Sequence, residues 1–500
     1  MSEKIHRGKI KTPPDPLVVK YIIQPDIDSD VKYRFQPFVD CNIAHVLMLA
    51  KQGIVSKDTA VSIIRANEKM AAMGDKPAFE VNPDREDLYF NIEAYVIEQC
   101  GIEIGGQMHT ARSRNDLYAT TARLGVRKTY MELCRSYNAM RQAIIDVARQ
   151  NEDAVYSGYT HMQPSEPITF AHYCSAILNA MQRDFQRIAH CFEGLNLCPL
   201  GGGSMGSTSW NIDRKMTADL LGFYGPIDNS IDCVATRDYS TDILGSLSIA
   251  AITLSRFCQD LYVWATPDYG YVEVSDSCAV CSSIMPQKKN PWILEHIKAK
   301  AAHVEGAFMS SLNVMKNVIY SHCEDMCNES CNYLFSGMHE MKVMCDLMTV
   351  SIKGLTIHKD RMRETAKGNF CTVTELANCI VRKDKISFRM AHDIVAGVVD
   401  YMLKHNKKAD EIDTSDVNPI YEKLYGRKTT MTDAEVRAAL DPVAIAYSKK
   451  VIGGTAPEEV ERQLNSRQAQ LDKDNALLTE RENFVKKAHD NLMATAKAFV

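Results

Sequence analysis

The most regular hydrophobic pattern in the chain runs from 241 to 265, where Leu244, Leu247, Ala251, Leu254, Cys258 and Leu261 recur at alternating steps of three and four residues. That spacing is a heptad seam and predicts one long helix. The flanking Ile243, Ile249, Ala250, Ile252 and Phe257 are also apolar, so the helix should be covered nearly all round inside a bundle, with oligomer contacts as one source of cover. Helix-permissive stretches recur at 115–150, 165–195 and 292–320, whereas alternating β-branched runs bounded by turns are few. The predicted class is all-α. Pro13, Pro14, Pro16, Pro25 and Pro37 read as an extended arm over residues 1 to about 40, with helices beginning at Asn42. The charged stretch from Glu458 to Lys487 reads as a solvated amphipathic helix.

Composition narrows the classes. At 500 residues, 45% of them hydrophobic, the chain should form two or three domains. A formal net charge of -5, without a basic stretch in either half, argues against a nucleic-acid partner. The first fifteen residues lack the apolar segment of a signal peptide, and no window reads as a bilayer span, so a soluble, cytoplasmic protein without membrane contact is expected. The sixteen cysteines include the pair Cys278 and Cys281, and Cys323, Cys327 and Cys331 beside His322. No recognised four-ligand zinc spacing can be assembled from them, so they are read as packed thiols and no metal is expected. Gly201 to Gly206 matches a dinucleotide fingerprint formally, but Pro199 precedes it and no strand feeds it, so it is read as a loop.

Three polar runs carry candidate chemistry. Cys281-Ser282-Ser283-Ile284-Met285-Pro286-Gln287-Lys288-Lys289-Asn290-Pro291 combines hydroxyls, a cation and the start of an apolar helix. With Asn290 as N-cap and Pro291 at the first helical position, the loop should lie at the positive end of the helix dipole, a place for an anion. An ordinary capped loop has the same composition. His109-Thr110-Ala111-Arg112-Ser113-Arg114-Asn115-Asp116 gathers donors suited to carboxylates, though arginine pairs are commonly salt-bridged. Gly158-Tyr159-Thr160-His161-Met162-Gln163-Pro164 sets a Thr-His pair before a proline-broken turn, where a lone histidine is often structural.

Together the three runs resemble the signature regions of the fumarase and aspartase superfamily, and their wording is most similar to argininosuccinate lyase. HTARSRND resembles that family's HTGRSRND, and the serine loop matches its counterpart except for Cys281, where the family usually has Gly. The similarity continues through Pro199-Leu200-Gly201, Asn229-Ser230-Ile231-Asp232, Arg237-Asp238, Val381-Arg382-Lys383 and Gly453-Gly454. The resemblance implies a three-domain subunit divided at 1–114, 115–365 and 366–500, its long central helices pooled in a homotetrameric core of about twenty helices. It implies active sites shared by three subunits, a dicarboxylate and an amine as small-molecule partners, and no organic or metal cofactor. By position, Ser282 would take a Cβ proton, and Lys288 with Asn290 would hold the carboxylate that gains charge. Ser113, Asn115 and Thr160 would bind carboxylates. His161, paired with Glu295, would serve the leaving nitrogen. Arg114, Gln163, Ser283 and Met285 fall at further substrate-binding positions, as do Tyr320, Asp325 and Asn328.

The implied reaction is elimination of an amine from an N-substituted aspartate to give fumarate. Other superfamily reactions, on malate, aspartate or adenylosuccinate, are alternatives, as is a non-catalytic crystallin-like protein. Departures fall on the amine side: Trp292 stands where the family usually has Asp, Asp325 and Asn328 replace Gln and Lys, and Phe38 falls near an acidic position. These changes predict a non-arginine amine, with argininosuccinate itself as the alternative. The tail after Arg462 is expected to extend beyond the family's usual end.

Overall fold

The protein is described here from a computed structural model that covers residues 10 and 12–500. Among the described residues, seven helices of at least 24 residues organise the chain: α1 (Gln24–Lys51), α2 (Arg114–Gln150), α3 (Phe170–Leu195), α4 (Asp238–Trp264), α5 (Trp292–Met315), α6 (Ser330–Lys353) and α7 (Pro457–Phe499). Strands form only two-stranded pairs, chiefly β1 (Val155–Thr160) with β2 (Gln163–Thr169), and β3 (Val280–Cys281) with β4 (Lys289–Asn290). The fold is all-α.

Helices α2 to α6 pack on one another around the largest apolar cluster, which also takes Val460, Leu464, Leu471 and Leu478 from α7. A second cluster joins α1 and the following helices to the start of α2, Leu200 to Phe223, and Leu492 and Ala496 of α7. A third lies within 376–440. Local sequence sets the helix starts. Ser113 and Asp116 form a reciprocal capping box at α2, and Thr169 caps α3 by accepting from the N–H of His172 at 3.0 Å.

The seam of α4 is buried at every predicted position, but its partners are α3, α5 and α6 of the same chain. The seam is therefore covered from within the chain rather than by oligomer contacts. Within a single chain the helix is not covered all round, since Ile249 and Ile252 remain 46% and 49% exposed. A second correction follows from the same helix: Asp238–Trp264 is long and apolar enough to cross a membrane by composition, with a mean hydropathy of 1.2 over a window of 18 residues. Over half of that window is spent on the core of the bundle.

From Pro16 onward the proline-rich start is helical, not extended. A helical turn at Pro16–Val18 and a π-helical turn at Val19–Ile23 lead directly into α1, so helix begins well before Asn42. Pro16 and Pro25 occupy first-turn positions where no N–H is required, and a single Pro37 is tolerated inside α1. Residues 1–9 and 11 of the expected arm lie outside the described residues. The stretch read as helix from 165 begins instead as β2, since Pro164 and Pro167 suit a hairpin edge, and helix starts at Phe170. The charged tail is a 43-residue helix that packs along α2 and α3, with Asp474 paired to Arg141 at 2.7 Å where both side chains are buried. Its apolar stripe makes it a brace of the bundle as well as a solvated surface.

Pro37 also explains how α1 meets α2. Lacking an N–H, it leaves the Tyr33 carbonyl without its helical donor. A Cβ built on Gly125 of α2 would sit 2.6 Å from that carbonyl oxygen, so the two backbones cross where only glycine fits. Replacing Gly by Ala favours an isolated helix by about 1 kcal/mol, whereas overpacking a rigid contact costs about 1–3 kcal/mol. Gly125→Ala should therefore lower the thermal unfolding midpoint. Gly194→Ala, with no atom within 4 Å of the new Cβ, should not. Equal midpoints for both variants in a thermal melt would contradict the close-approach argument.

Candidate functional site

The serine loop is closed at its neck by pairing of Val280 with Asn290 and of Cys281 with Lys289. Asn290 is not the helix cap predicted from sequence: its Nδ2 donates to the Val280 carbonyl at 3.2 Å, and Pro291 takes the cap position of α5. The side chain is used to lock the loop rather than the helix. Within the loop, Ser282 Oγ accepts from the N–H groups of Ile284 at 3.3 Å and Met285 at 3.1 Å. Two N–H dipoles aimed at one hydroxyl oxygen favour negative charge there. Lys289 is bound at 2.7 Å to both Glu273 and Asp276, while Lys288 is exposed and has no acidic partner among the described residues. Ser283 is also exposed, as is Met285. In the first turn of α5, Glu295 accepts from the Tyr262 hydroxyl at 3.1 Å.

Thr160 and Gln163 pair directly across the β1–β2 hairpin, leaving His161 and Met162 as its two-residue turn. Both have positive φ, 54° and 60°, the pattern of a type I′ turn that normally selects Asn-Gly. Holding two non-glycine residues there costs on the order of 1–3 kcal/mol each, and strain of this kind gathers at functional positions. All four side chains are exposed at the tip.

At the head of α2, Ser113 Oγ accepts from the Asn115 N–H at 3.2 Å. Asp116 is buried and accepts from Ser113 N–H at 3.0 Å, Gly201 N–H at 2.8 Å and Gly203 N–H at 2.9 Å. Burial pushes its carboxyl up to about 6, against the pull of those donors. Thus the glycine-rich segment is a structural loop bonded to the head of α2. The two arginines of this run have structural partners: buried Arg112 donates to Asn42, and Arg114 pairs with Asp87 at 2.8 Å. Asn115 Nδ2 donates to the Ser204 carbonyl.

Arg114 and Asn115 share a cavity of about 310 Å³ with Asn328, and its walls include Asp26, Asp30, Arg34, Arg237, His322 and Glu324. Burial pushes Asp26 up to about 6 and Asp30 up to about 7, despite Arg34. Asp26, Asp30 and Arg34 recur at four-residue steps on α1, a polar stripe that could have marked this wall in the sequence. Asn328 donates to Glu324 at 2.6 Å, and exposed Asp325 opens a π-helical turn, Asp325–Glu329. Tyr320 donates to Asp232 at 3.3 Å. Lys288, Asn290 and Met285 line a different cavity of about 710 Å³, which shares no residue with the first. Within one chain, then, the predicted residues form three groups: the serine loop, the hairpin tip, and the cavity at the head of α2.

Comparison with known proteins bears on the whole chain. Residues 32–306 match a family model described as lyase, and residues 370–446 match one described as argininosuccinate lyase C-terminal. The chain is 44% identical to argininosuccinate lyase 1 of Shouchella clausii, covering 95% of each chain. It is 32% identical to argininosuccinate lyase of Methanocaldococcus jannaschii, covering 98% of this chain and 99% of that one. Among solved structures, an EDDS lyase variant with bound fumarate superposes with a TM-score of 0.85 at 28% identity, covering 100% of this chain and 98% of that chain. Such coverage corrects the expectation of a tail beyond the family's end, since α7 has counterparts in these proteins.

The strained hairpin tip gives a direct test. Replacing His161 and Met162 together by Asn and Gly, the pair favoured in this turn, should raise unfolding stability by about 1–2 kcal/mol. A lower thermal midpoint for the double variant would show that the tip is not strained.

Proposed function

The chain belongs to the argininosuccinate lyase family of carbon–nitrogen lyases, and on that premise we propose that it cleaves argininosuccinate to arginine and fumarate. The carrying observation is Ser282, a loop hydroxyl whose oxygen accepts two backbone N–H groups, on the same loop as Lys288, which has no acidic partner among the described residues. In the proposed elimination, Ser282 as alkoxide takes a proton from Cβ of the succinyl half. The electrons of that C–H bond form the double bond of fumarate, and the C–N bond electrons leave with arginine. A proton α to a carboxylate is weakly acidic, so the barrier lies mainly in the charge that grows on the carboxylate. Lys288 is the preorganised cation for that charge, with Asn290 at the neck of the same loop. Thr160, Ser113 and Asn115 hold carboxylates, and His161 with Glu295 serves the departing nitrogen. Gln163, Ser283 and Met285 line the succinyl side, with Arg114, Tyr320, Asp325 and Asn328 toward the amine.

These groups lie apart in one chain, and we assign the complete site to a homotetramer in which three copies supply them. The exposed apolar residues Ile249 and Ile252 of α4, and Met309 and Leu312 of α5, support that assembly, because such side chains on long bundle helices need cover. We assign the domain divisions near 114 and 365 to the same design, with the central helices forming the shared core.

Arginine is preferred over other leaving amines because the 44% identical relative is named argininosuccinate lyase 1. A second reading keeps the succinyl chemistry but takes a different amine. Its support is Trp292, 44% exposed at the start of α5, together with Asp325 and Asn328 at positions where the family usually has other side chains. Fumarate release from argininosuccinate, measured beside fumarate consumption by arginine, diamines and other amines, should show argininosuccinate as the preferred substrate. Efficient addition of another amine with no cleavage of argininosuccinate would favour the second reading.

The mechanism predicts that Ser282→Ala and Lys288→Ala each lower kcat by about 10²–10³ or more, the loss of about 3–4 kcal/mol typical of a preorganised site. Helix content and sedimentation should be unchanged, since both side chains sit on an exposed loop. Near-normal turnover in either variant would overturn the assignment.

A further inference from the structure

Two adjacent lysines on the serine loop are treated differently by the fold. Lys289 belongs to β4, and its ammonium sits 2.7 Å from Glu273 Oε1 and 2.7 Å from Asp276 Oδ1. Lys288, one residue earlier, has no acidic partner among the described residues. Both lysines line the cavity of about 710 Å³. Besides Tyr262, the other ionisable side chains on its wall are Glu273 and His358, whose Nε2 lies 3.6 Å from Glu273 Oε2. Glu273 is set in place by antiparallel pairing of Val272–Glu273 with Thr356–Ile357, and Asp276 opens the short helical turn Asp276–Cys278. Both carboxylates at the neck of the loop are thus engaged by the lysine that the elimination does not use.

The two ammonium groups hang from neighbouring residues on flexible four-carbon stems, so carboxylates that reach one lie within the sweep of the other. What such partners do to a lysine is visible at Lys289, where hydrogen bonds from the ammonium to Asp276 and then Glu273 push it above its ordinary value and hold both carboxyls below theirs. At Lys289 this has no bearing on the reaction. Lys288 in the same grip would meet the substrate already neutralised. Charge growing on the succinyl carboxylate would then compete with the protein's own carboxylates for its cation, and the preorganisation that lowers the barrier would be lost.

We propose that Lys289 is a positioning residue that occupies Glu273 and Asp276 and so keeps Lys288 unpaired for the succinyl carboxylate. The inference rests on the role given to Lys288 above and deepens it: of the two lysines, one is held by the protein's own carboxylates and the next is left to the substrate. A lysine that merely anchored the neck of the loop would need its carboxylates. A lysine that screens Lys288 is needed only while they are present.

In the full-length enzyme at low salt, Lys289→Met should lower kcat/KM for fumarate release about 3- to 5-fold, a modest loss because exposed ion pairs are weak. The double variant Glu273→Gln/Asp276→Asn should stay within about twofold of wild type, and adding Lys289→Met to it should cause no further loss. Relative to wild type, the deficit of Lys289→Met should shrink as salt approaches about 1 M, where charges are screened beyond about 3 Å. Equal losses in the single, double and triple variants would identify an anchor and overturn the proposal, as would full activity in Lys289→Met. Pairing is also read without turnover, from the rate at which trace acetic anhydride acetylates each ε-amine, resolved by peptide mass spectrometry. Only the uncharged amine reacts, so a carboxylate partner slows it. Lys288 should react faster than Lys289 in the wild type, slow about 3- to 5-fold in Lys289→Met, and recover in the triple variant. Unchanged Lys288 reactivity in Lys289→Met overturns the proposal whatever the substrate. Failure of the lyase reading shows separately, as normal turnover in Lys288→Ala, and the labelling still decides whether Lys289 screens its neighbour.

Discussion

Asp116 holds three backbone N–H groups from two distant segments, and the geometry of the cavity depends on it. One oxygen closes the capping box of α2 through Ser113, and the other takes both Gly201 and Gly203. The head of α2 and the glycine loop are thereby one unit. Ser113, Arg114 and Asn115 project from that unit with fixed directions, Asn115 held in addition by the Ser204 carbonyl. A Cβ at Gly203 would lie 2.5 Å from the Ser207 carbonyl, at a φ of +62°, so the loop closes only with glycine there. Without the carboxylate, the two buried N–H groups of Gly201 and Gly203 would lose their acceptor, at about 1–3 kcal/mol for each, together with the half-buried Ser113 N–H.

The other candidate site residues are carried largely on short hairpins that the helical bundle presents. β3 with β4 pins the serine loop, and β1 with β2 lifts His161 to a strained tip, while the helices behind them pack around one extended apolar cluster. Loops displayed on rigid elements can hold reactive groups in place without a rigid loop interior. This arrangement also explains why the groups sit far apart in one subunit. Long helices place their loops at different ends and faces, and in the assembly proposed above a second and a third copy bring such loops together.

Much of this was legible in sequence because it depends on short-range patterns. The heptad of α4 gave the buried residues correctly, and the three polar runs carried the family. What the pattern could not supply was the identity of the neighbour: a seam looks the same whether its partner is α5 of one chain or a second subunit. Similarly, Pro37 marks a lost hydrogen bond, but only the crossing with Gly125 shows that the helix continues through it. Asn290 has the composition of a cap, yet a bond to Val280 ten residues earlier claims its side chain. The brace formed by α7 depends on Asp474 meeting Arg141, a contact across more than three hundred positions that no local signal announces.

Two π-helical turns, Val19–Ile23 and Asp325–Glu329, line the same cavity, the first contributing Ile22 and Ile23 and the second Cys327 and Asn328. A π turn has poorer hydrogen-bond geometry than an α turn and widens the helix locally, so it persists where the re-aimed side chains have a use. Here the widening brings Cys327 to His322 and leaves Asn328 against Glu324. Both turns lie immediately before long helices, α1 and α6, whose cores are fixed by the bundle. Residues in these turns can therefore change without disturbing the packing that positions Ser282 or Lys288. On the reading proposed above, the succinyl half meets the constrained loops, and the amine half meets the two turns that the fold leaves free to vary.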